Sequence, residues 1–266
     1  MKLLAVTLAA MGAMCVTAQA ADLPFTRPAP APVALPLAFS WTGLYFGVNA
    51  GYAFSTDSNV STTGQAVANI NNVNGGARPA SVSLRQRGFI GGGQVGYNYQ
   101  FGQFVVGAEA DLQYTDLRRS VLVTTIPLSG ISTLNNRFSN KLEYLGTLRG
   151  RFGFAVDRAL IYATGGFAYG ETRASVNFTG PAPASVLQFT GSQRRTSYGY
   201  TLGGGLEYAI TNNLSVKGEY LYYHLQRSTL NVAVIPGSGG GGTGYNSRFR
   251  NNGNIIRAGL NYKFSL

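Results

Sequence analysis

The sequence predicts an all-β fold, an eight-stranded antiparallel transmembrane β-barrel arranged as an up-and-down meander. Three observations predict it. Eight segments alternate apolar with small or polar residues at a period of two, which is typical of strands. The connections between them alternate in length between long and short. The composition, with 36 Gly, 16 Tyr, 15 Phe and only 12% charged residues, favours strands and turns over helices.

The N-terminus has the features of a secretory signal peptide, predicted for residues 1–20. A short positive start, Met1-Lys2, precedes an apolar stretch, and Ala18-Gln19-Ala20 forms an A-x-A site, so we expect cleavage after Ala20. The apolar stretch is too short for a comfortable membrane span. Cleavage would also remove the single Cys of the chain, Cys15, which excludes disulfides and Cys-based zinc sites from the mature protein.

A Pro- and Ala-rich segment follows at residues 21–40 and is predicted to be an extended periplasmic linker. Proline at this density blocks both helices and sheet ladders. Its prolines are Pro24, Pro28, Pro30, Pro32 and Pro36. The predicted barrel domain is therefore 41–266.

The first four predicted strands each have one apolar face and one small or polar face. They span 43–54, 89–101, 104–114 and 142–154. Their apolar faces carry Leu44, Phe46, Val48, Ala50, Tyr52 and Phe54; Phe89, Val95, Tyr97, Tyr99 and Phe101; Phe104, Val106, Ala108, Ala110, Leu112 and Tyr114; and Leu142, Tyr144, Leu148, Phe152 and Phe154.

The last four predicted strands span 160–170, 198–208, 214–222 and 254–266. The first of these is a strand by its content, although alternation does not assign its faces. The apolar faces of the others carry Tyr198, Tyr200, Leu202, Leu206 and Tyr208; Leu214, Val216, Tyr220 and Tyr222; and Ile256, Ala258, Leu260, Tyr262, Phe264 and Leu266.

Connection lengths and charge placement distinguish a membrane barrel from a soluble sandwich, which also alternates. The long connections are about 56–85, 115–139, 171–195 and 226–252, and the short ones are 100–103, 155–159 and 209–213. This organisation predicts four long external loops and three short periplasmic turns. Strand charges lie on the small-residue face and aromatic residues cluster at the ends of the apolar face, as in a barrel whose apolar face meets lipid.

Several segments closely resemble alphaproteobacterial outer-membrane porin-family proteins, surface antigens with an OmpA-like eight-stranded barrel. The matching segments are 41–52, 88–100, 106–111, 144–153, 162–170 and 259–264. The resemblance implies an outer-membrane location and roles that are mostly structural or surface-antigenic. The C-terminal strand, with Leu260, Tyr262, Phe264 and Leu266, is expected to meet the outer-membrane assembly machinery. Such barrels often end on an aromatic residue, whereas here Ser265-Leu266 follows Phe264.

An eight-stranded barrel is just wide enough for side chains to fill its interior, so an open channel is not expected. Five acidic and five basic residues are predicted to face that interior and to form mutual salt bridges, because unpaired charge in a confined space is costly. They are Glu109, Asp111, Glu143, Arg149, Arg151, Glu207, Lys217, Glu219, Arg257 and Lys263. The alternative is that some lie at the wet rims and contribute little.

The formal net charge of +11 comes largely from arginines in and beside the long connections. If those loops are external, the arginines ring the outer mouth at the level of the lipopolysaccharide phosphates, which guanidinium groups bind well. The predicted phosphate-binding rim is Arg85, Arg87, Arg118, Arg119, Arg194, Arg195, Arg248 and Arg250. A merely solvated rim is the alternative. Nucleic acid is not an expected partner, because the protein is exported and has no recognisable nucleic-acid-binding fold.

The leading interpretation is a structural, non-enzymatic barrel without cofactor or metal, in contact with outer-membrane lipid and lipopolysaccharide. A narrow porin or a surface receptor, for instance for haem bound through His224 or Tyr245, is the rival. An enzyme would need Ser228 or Ser247 beside His224, the only His. The G-x-G-x-x-G match at 91–96 lies inside a strand, outside the context of a phosphate loop. A monomer is expected, although an oligomer is not excluded.

Overall fold

A computed structural model describes residues 39–55, 58–126, 133–180, 188–238 and 243–264. The predicted signal peptide, nearly all of the predicted linker and Leu266 lie outside these residues. The described elements are one helix, α1 (Val67–Asn74), and ten strands. The strands are β1 (Gly43–Phe54), β2 (Asn59–Gly64), β3 (Ser81–Ser83), β4 (Arg87–Phe101), β5 (Phe104–Thr125), β6 (Leu134–Val156), β7 (Ala159–Thr179), β8 (Phe189–Ala209), β9 (Leu214–Val234) and β10 (Tyr245–Lys263).

Eight of these strands close into a ring of antiparallel neighbours, which confirms the predicted meander. The order is β1-β4-β5-β6-β7-β8-β9-β10, and β1 also pairs with β10 to close the barrel. The two extra strands belong to the first long connection. There β2 pairs with β10 beyond the end of β1, and β3 pairs with β2. No helix in the described part of the chain is long and apolar enough to cross a membrane.

Aromatic side chains form two bands on the outer surface, one at each end of an apolar zone. The lower girdle, at the short-turn end, includes Phe46, Tyr99, Phe101, Phe104, Phe154, Tyr208, Tyr262 and Phe264. The upper girdle includes Tyr52, Phe89, Tyr114, Tyr144, Tyr169, Tyr198, Tyr200 and Tyr222. Along β5 the bands are separated by the residues from Phe104 to Tyr114. Ten residues of a tilted strand rise about 25 Å, the height of an outer-membrane apolar band.

The strands continue well beyond the upper girdle, so much of the chain predicted as long loops is strand. We call this extension the outer half and the part between the girdles the lipid-facing half. Residues 115–125, 134–139, 171–179 and 226–234 all belong to strands. From Tyr114 to Thr125, β5 rises about as far again as it does between the girdles.

The outer half has inverted polarity, and for this reason the sequence pattern predicts loops there instead of strands. Its interior is an apolar core and its exterior is polar, whereas in the lipid-facing half the exterior is apolar. The core includes Val60, Leu84, Phe138, Val176, Phe178, Phe189, Leu230, Val232, Tyr245 and Phe249. Strands predicted from outward-facing apolar residues therefore end at the upper girdle, although residues above it still alternate between the two faces with a period of two.

Two β-bulges change which residues face inward. In β6 the register shifts between Leu142 and Tyr144, so Leu142 is buried inside and Glu143 lies outside. The prediction had these two faces reversed. In β9 both Gln226 and Arg227 are exposed at a second shift, and the inward positions change from odd to even numbers. A bulge adds one residue to a strand, so every residue beyond it moves to the other face.

The faces of the segment 160–170, which alternation left open, are also defined. Leu160, Tyr162 and Ala168 are buried inside, and Ile161 and Phe167 are exposed on the outer surface. At the end of the barrel, Leu260, Tyr262 and Phe264 face outward as predicted from the pattern.

Candidate functional site

A cluster of four carboxylates and four cations fills one level of the lipid-facing half. We call it the interior charge cluster, and each of its side chains is nearly inaccessible to solvent. Because the two signs are equal in number, the cluster has no formal net charge. Its members are Glu109, Asp111, Arg149, Arg151, Glu207, Lys217, Glu219 and Arg257.

Arg149 is the centre of the cluster. Its Nη2 contacts Glu109 and lies 2.9 Å from Asp111 Oδ2, and its Nη1 lies 3.0 Å from Glu219 Oε1. Arg257 reaches two of the same carboxylates from β10, at 2.5 Å from Glu219 Oε2 and 3.1 Å from Asp111 Oδ2. The two guanidinium groups therefore join carboxylates from β5 and β9 across the barrel.

Lys217 and Arg151 complete the pairing. Lys217 Nζ lies 2.8 Å from Glu109 Oε2, and Arg151 Nη2 lies 2.7 Å from Glu207 Oε2. Tyr45 donates to Glu109 Oε2 at 2.8 Å and accepts from Arg151 Nη1 at 2.9 Å. Every carboxylate of the cluster thus has a cationic partner, as a buried ionic group requires, and among the described residues only Arg151 Nε and Arg257 Nη1 of the cluster's buried nitrogens have no hydrogen-bond partner.

Apolar layers lie above and below the interior charge cluster. The layer above includes Ile90, Leu117, Leu142, Leu145, Leu221, Tyr223 and Ile255. The layer below, at the short-turn end, includes Trp41, Val105, Leu160 and Ala209. With the apolar core of the outer half, side chains fill the barrel at four levels, which is the packing that its strand number predicts.

One of the ten residues predicted for the interior lies elsewhere, and another lies at the end of the interior. The bulge in β6 puts Glu143 on the outer surface, where it contacts Lys141, Arg173 and Arg194. Lys263, the last residue of β10, faces inward at the short-turn end, where it lines a small pocket with Tyr45 and Asn261 and its ammonium contacts the carbonyl of Ser40. The prediction for Glu143 is wrong, because alternation alone does not show a bulge.

A row of basic residues crosses five neighbouring strands on the outer surface, and we call it the basic row. Its members face one another in register as Arg87–Arg118, Arg118–Lys141, Lys141–Arg173 and Arg173–Arg194, from β4 to β8. The girdle residues Phe89, Tyr114, Tyr144, Tyr169 and Tyr198 lie a few residues below it on the same strands. The row therefore runs just above the lipid-facing surface.

The predicted rim coincides only in part with the basic row. Arg87, Arg118 and Arg194 belong to it, and the rim omitted Lys141 and Arg173. Arg119 and Arg195 follow row members directly in the chain, Arg85 lies between β3 and β4, and Arg248 and Arg250 lie on β10. Seven of the eight rim arginines are exposed and Arg250 is half-buried. All but Arg85 are on strands, because the strands extend through the stretches predicted as loops.

Three carboxylates accompany the basic row. Asp116 lies 3.4 Å from Arg118, Glu143 lies 3.0 Å from Arg194, and Glu171 also contacts Arg194. Five basic groups therefore face three acidic ones, and the row keeps a positive excess. That excess, at the border of the apolar zone, suits a surface that meets anionic headgroups.

The residues considered for an enzyme or a haem site are on different faces of the wall. His224 lies on the outer surface, with its ring 5.3 Å from that of Tyr200, whereas Ser228, Ser247 and Tyr245 are buried inside. The bulge in β9 separates His224 from Ser228. Within the residues that the structure describes, no group of three or more His, Cys, Asp or Glu side chains is arranged to hold a metal ion.

A closed antiparallel barrel with an apolar outer zone, two aromatic girdles and a charged interior is the architecture of an outer-membrane β-barrel protein. A family model described as an outer membrane protein beta-barrel domain matches residues 6–264, and the chain belongs to this family. The protein is therefore an outer-membrane protein, as predicted.

Two relatives agree with this assignment, and one solved structure is also similar to the chain. The chain is 38% identical to a 31 kDa outer-membrane immunogenic protein of Brucella melitensis, over 97% of this chain and 99% of the relative. It is 31% identical to a 22 kDa outer membrane protein of Rhizobium leguminosarum, over 65% of this chain and 66% of the relative. The outer membrane protein OprG of Pseudomonas aeruginosa is 14% identical, with a TM-score of 0.46 over 85% of this chain and 98% of OprG.

Proposed function

We propose that the protein is a closed, non-enzymatic structural barrel whose basic row binds lipopolysaccharide phosphates and thereby anchors the barrel in the outer leaflet. One observation carries this proposal: five basic residues on adjacent strands lie in register directly above the upper aromatic girdle. The girdle marks the border between acyl chains and headgroups. The basic row is thus at the height of the headgroup phosphates.

The spacing of the row suits phosphate. Neighbouring strands are about 4.7–4.9 Å apart, so two adjacent basic side chains can approach one phosphate group. Arginine presents a planar fork of donors that matches phosphate oxygens, and four of the five row members are Arg. A merely solvated rim would not require the charges to share one height on five strands.

The test compares stability with and without lipopolysaccharide. The triple variant Arg87→Gln, Arg118→Gln and Arg194→Gln is refolded in phospholipid vesicles that contain or lack lipopolysaccharide, and thermal unfolding is followed by circular dichroism. We expect lipopolysaccharide to stabilise the wild type, and the variant to lose about 0.6–3 kcal/mol of that gain, because each of the three exposed contacts contributes about 0.2–1 kcal/mol. In vesicles without lipopolysaccharide the two proteins should be similar.

The matched control is Arg158→Gln, at a short turn of the opposite end, where the guanidinium donates to Asn212 at 3.0 Å. This control should keep the full gain from lipopolysaccharide. The proposal fails if the triple variant keeps the gain as well.

A second contact concerns assembly. The outward-facing C-terminal strand residues Leu260, Tyr262 and Phe264 form the apolar surface that we propose the outer-membrane assembly machinery receives. Changing Phe264 to Asp should reduce the amount of folded barrel in cells, whereas Lys263→Gln, one position away, should not. Equal yields of the two variants would contradict this role.

A further inference from the structure

A separate pocket lies on the polar outer wall of the outer half, where β2, β10 and β9 run side by side. It has a volume of about 390 Å³, within the range of about 300–1,000 Å³ that holds small ligands. It is lined by Ser61, Thr63, Arg227, Thr229, Asn246, Arg248 and Arg250. These residues are apart from the basic row, which crosses β4 to β8.

The strand register explains how the lining comes together. Arg248 faces Ser61 on β2 on one side and Thr229 on β9 on the other. Asn246, two residues away on the same face, stands opposite Thr63. Strand pairing therefore places the polar side chains of β2, β10 and β9 beside one another in the pocket.

The bulge in β9 supplies a second cation. Register between β9 and β10 shifts next to Arg227 and Arg250, and Arg227 is exposed instead of alternating inward. Without the added residue, Arg227 would fall on the inner face, in the barrel interior. The bulge thus brings Arg227 to the same outer surface as Arg248, and such local irregularities often aim side chains at functional sites.

At the Asn246 end of the pocket, hydrogen bonds between side-chain amides link β9 and β10. Gln65 Nε2 donates to Asn231 Oδ1 at 3.0 Å and to Asn246 Oδ1 at 2.9 Å. Because the carbonyl of Asn246 is engaged, its amide nitrogen remains as a donor. The pocket thus combines guanidinium groups at one end with hydroxyl and amide groups along the other.

We propose that this pocket binds a phosphorylated sugar, with the phosphate on Arg227 and Arg248 and the sugar hydroxyls on Ser61, Thr63, Thr229 and Asn246. Guanidinium groups hold phosphate through paired charge-assisted hydrogen bonds. Hydroxyl and amide groups can donate to and accept from sugar hydroxyls. No aromatic residue and no carboxylate is among the described lining residues, so a nucleobase has no ring on which to stack and a cation has no acidic ligand.

Two sources could supply such a ligand: the phosphorylated core sugars of lipopolysaccharide in the same membrane, or a soluble sugar phosphate outside the cell. The chemistry of recognition is the same for both. The inference goes beyond the proposed anchoring function, because it concerns other residues and is tested in the absence of lipopolysaccharide.

The experiment is titration calorimetry of the barrel, refolded in detergent without lipopolysaccharide, with mannose 6-phosphate as the probe. We expect the wild type to bind it, and the double variant Arg227→Gln and Arg248→Gln to bind at least about tenfold more weakly, because it lacks both guanidinium groups that would pair with the phosphate. Heat-modifiable gel mobility shows that both proteins are folded.

Two controls make the outcome specific. Mannose, which lacks the phosphate, should bind far more weakly, and Arg118→Gln, in the basic row, should bind mannose 6-phosphate like the wild type. No binding by the wild type, or equal binding by the wild type and the double variant, overturns the proposal. Repeating the titration in lipopolysaccharide-containing nanodiscs distinguishes the sources: lost probe binding assigns the pocket to lipopolysaccharide sugars, and retained binding assigns it to a soluble ligand.

Discussion

Replacing Arg149 with Met tests whether the interior charge cluster holds the barrel together. The side chain is fully buried and contacts Glu109, Asp111 and Glu219. Methionine fills a similar length without charge. The cluster then contains four carboxylates and three cations in a water-poor interior, and its neutrality is lost.

The expected cost follows from these contacts. Removing one partner of a buried ion pair costs about 3–5 kcal/mol. Arg257 still lies 3.1 Å from Asp111 Oδ2 and 2.5 Å from Glu219 Oε2, and Lys217 still contacts Glu109. Since no carboxylate is left without a cation, we expect the lower end of that range, about 3 kcal/mol.

The assay is reversible urea unfolding in lipid vesicles, followed by fluorescence of Trp41, the only Trp, which is buried at the short-turn end. Arg158→Met, at an exposed short turn, is the matched control and should cost less than about 1 kcal/mol. Adding Asp111→Asn to Arg149→Met restores neutrality, so the double variant should be more stable than the sum of the single costs implies. Equal costs for Arg149→Met and Arg158→Met would refute the reasoning.

Three further outcomes are expected. Refolded barrel in planar bilayers should give no single-channel steps, because side chains fill the interior at four levels; reproducible steps would contradict this packing. Glu143→Gln should cost less than about 1 kcal/mol in urea unfolding, whereas Glu109→Gln should cost about 3 kcal/mol or more, and similar losses would contradict their placement. Gly199→Ala should reduce folding yield, because a methyl group there overlaps the carbonyl oxygen of His224, whereas Gly218→Ala, with nothing within 4 Å, should fold normally.

The sequence predicted the ring of strands and the eight residues of the interior charge cluster because both depend on simple alternation. Between the girdles each strand has one apolar and one polar face, and a period of two is enough to assign them. Arg149, Glu109 and Glu219 were found in this way. Their contacts then follow from confinement, because an eight-stranded interior leaves charged groups few other partners.

The errors come from local and long-range features that alternation does not show. The bulge at Glu143 is a single additional residue, and nothing in the segment 140–146 marks it as a bulge. The strands of the outer half were missed because their apolar residues, such as Phe138 and Val176, face inward. The sequence shows that the basic row's residues are basic, but their common height depends on strand register, which is defined only by the pairing of neighbouring strands.

The extended wall of the outer half also determines how an antibody can recognise this protein. Side chains that are neighbours on this surface belong to different strands and are far apart in the chain. Ser61, Arg248 and Thr229, on three adjacent strands, are an example. An epitope on this wall is therefore discontinuous and exists only in the folded barrel. A linear peptide copied from one strand would expose its inward apolar residues and lack the neighbours that complete the surface, so serum raised against it would recognise the unfolded chain rather than the cell surface.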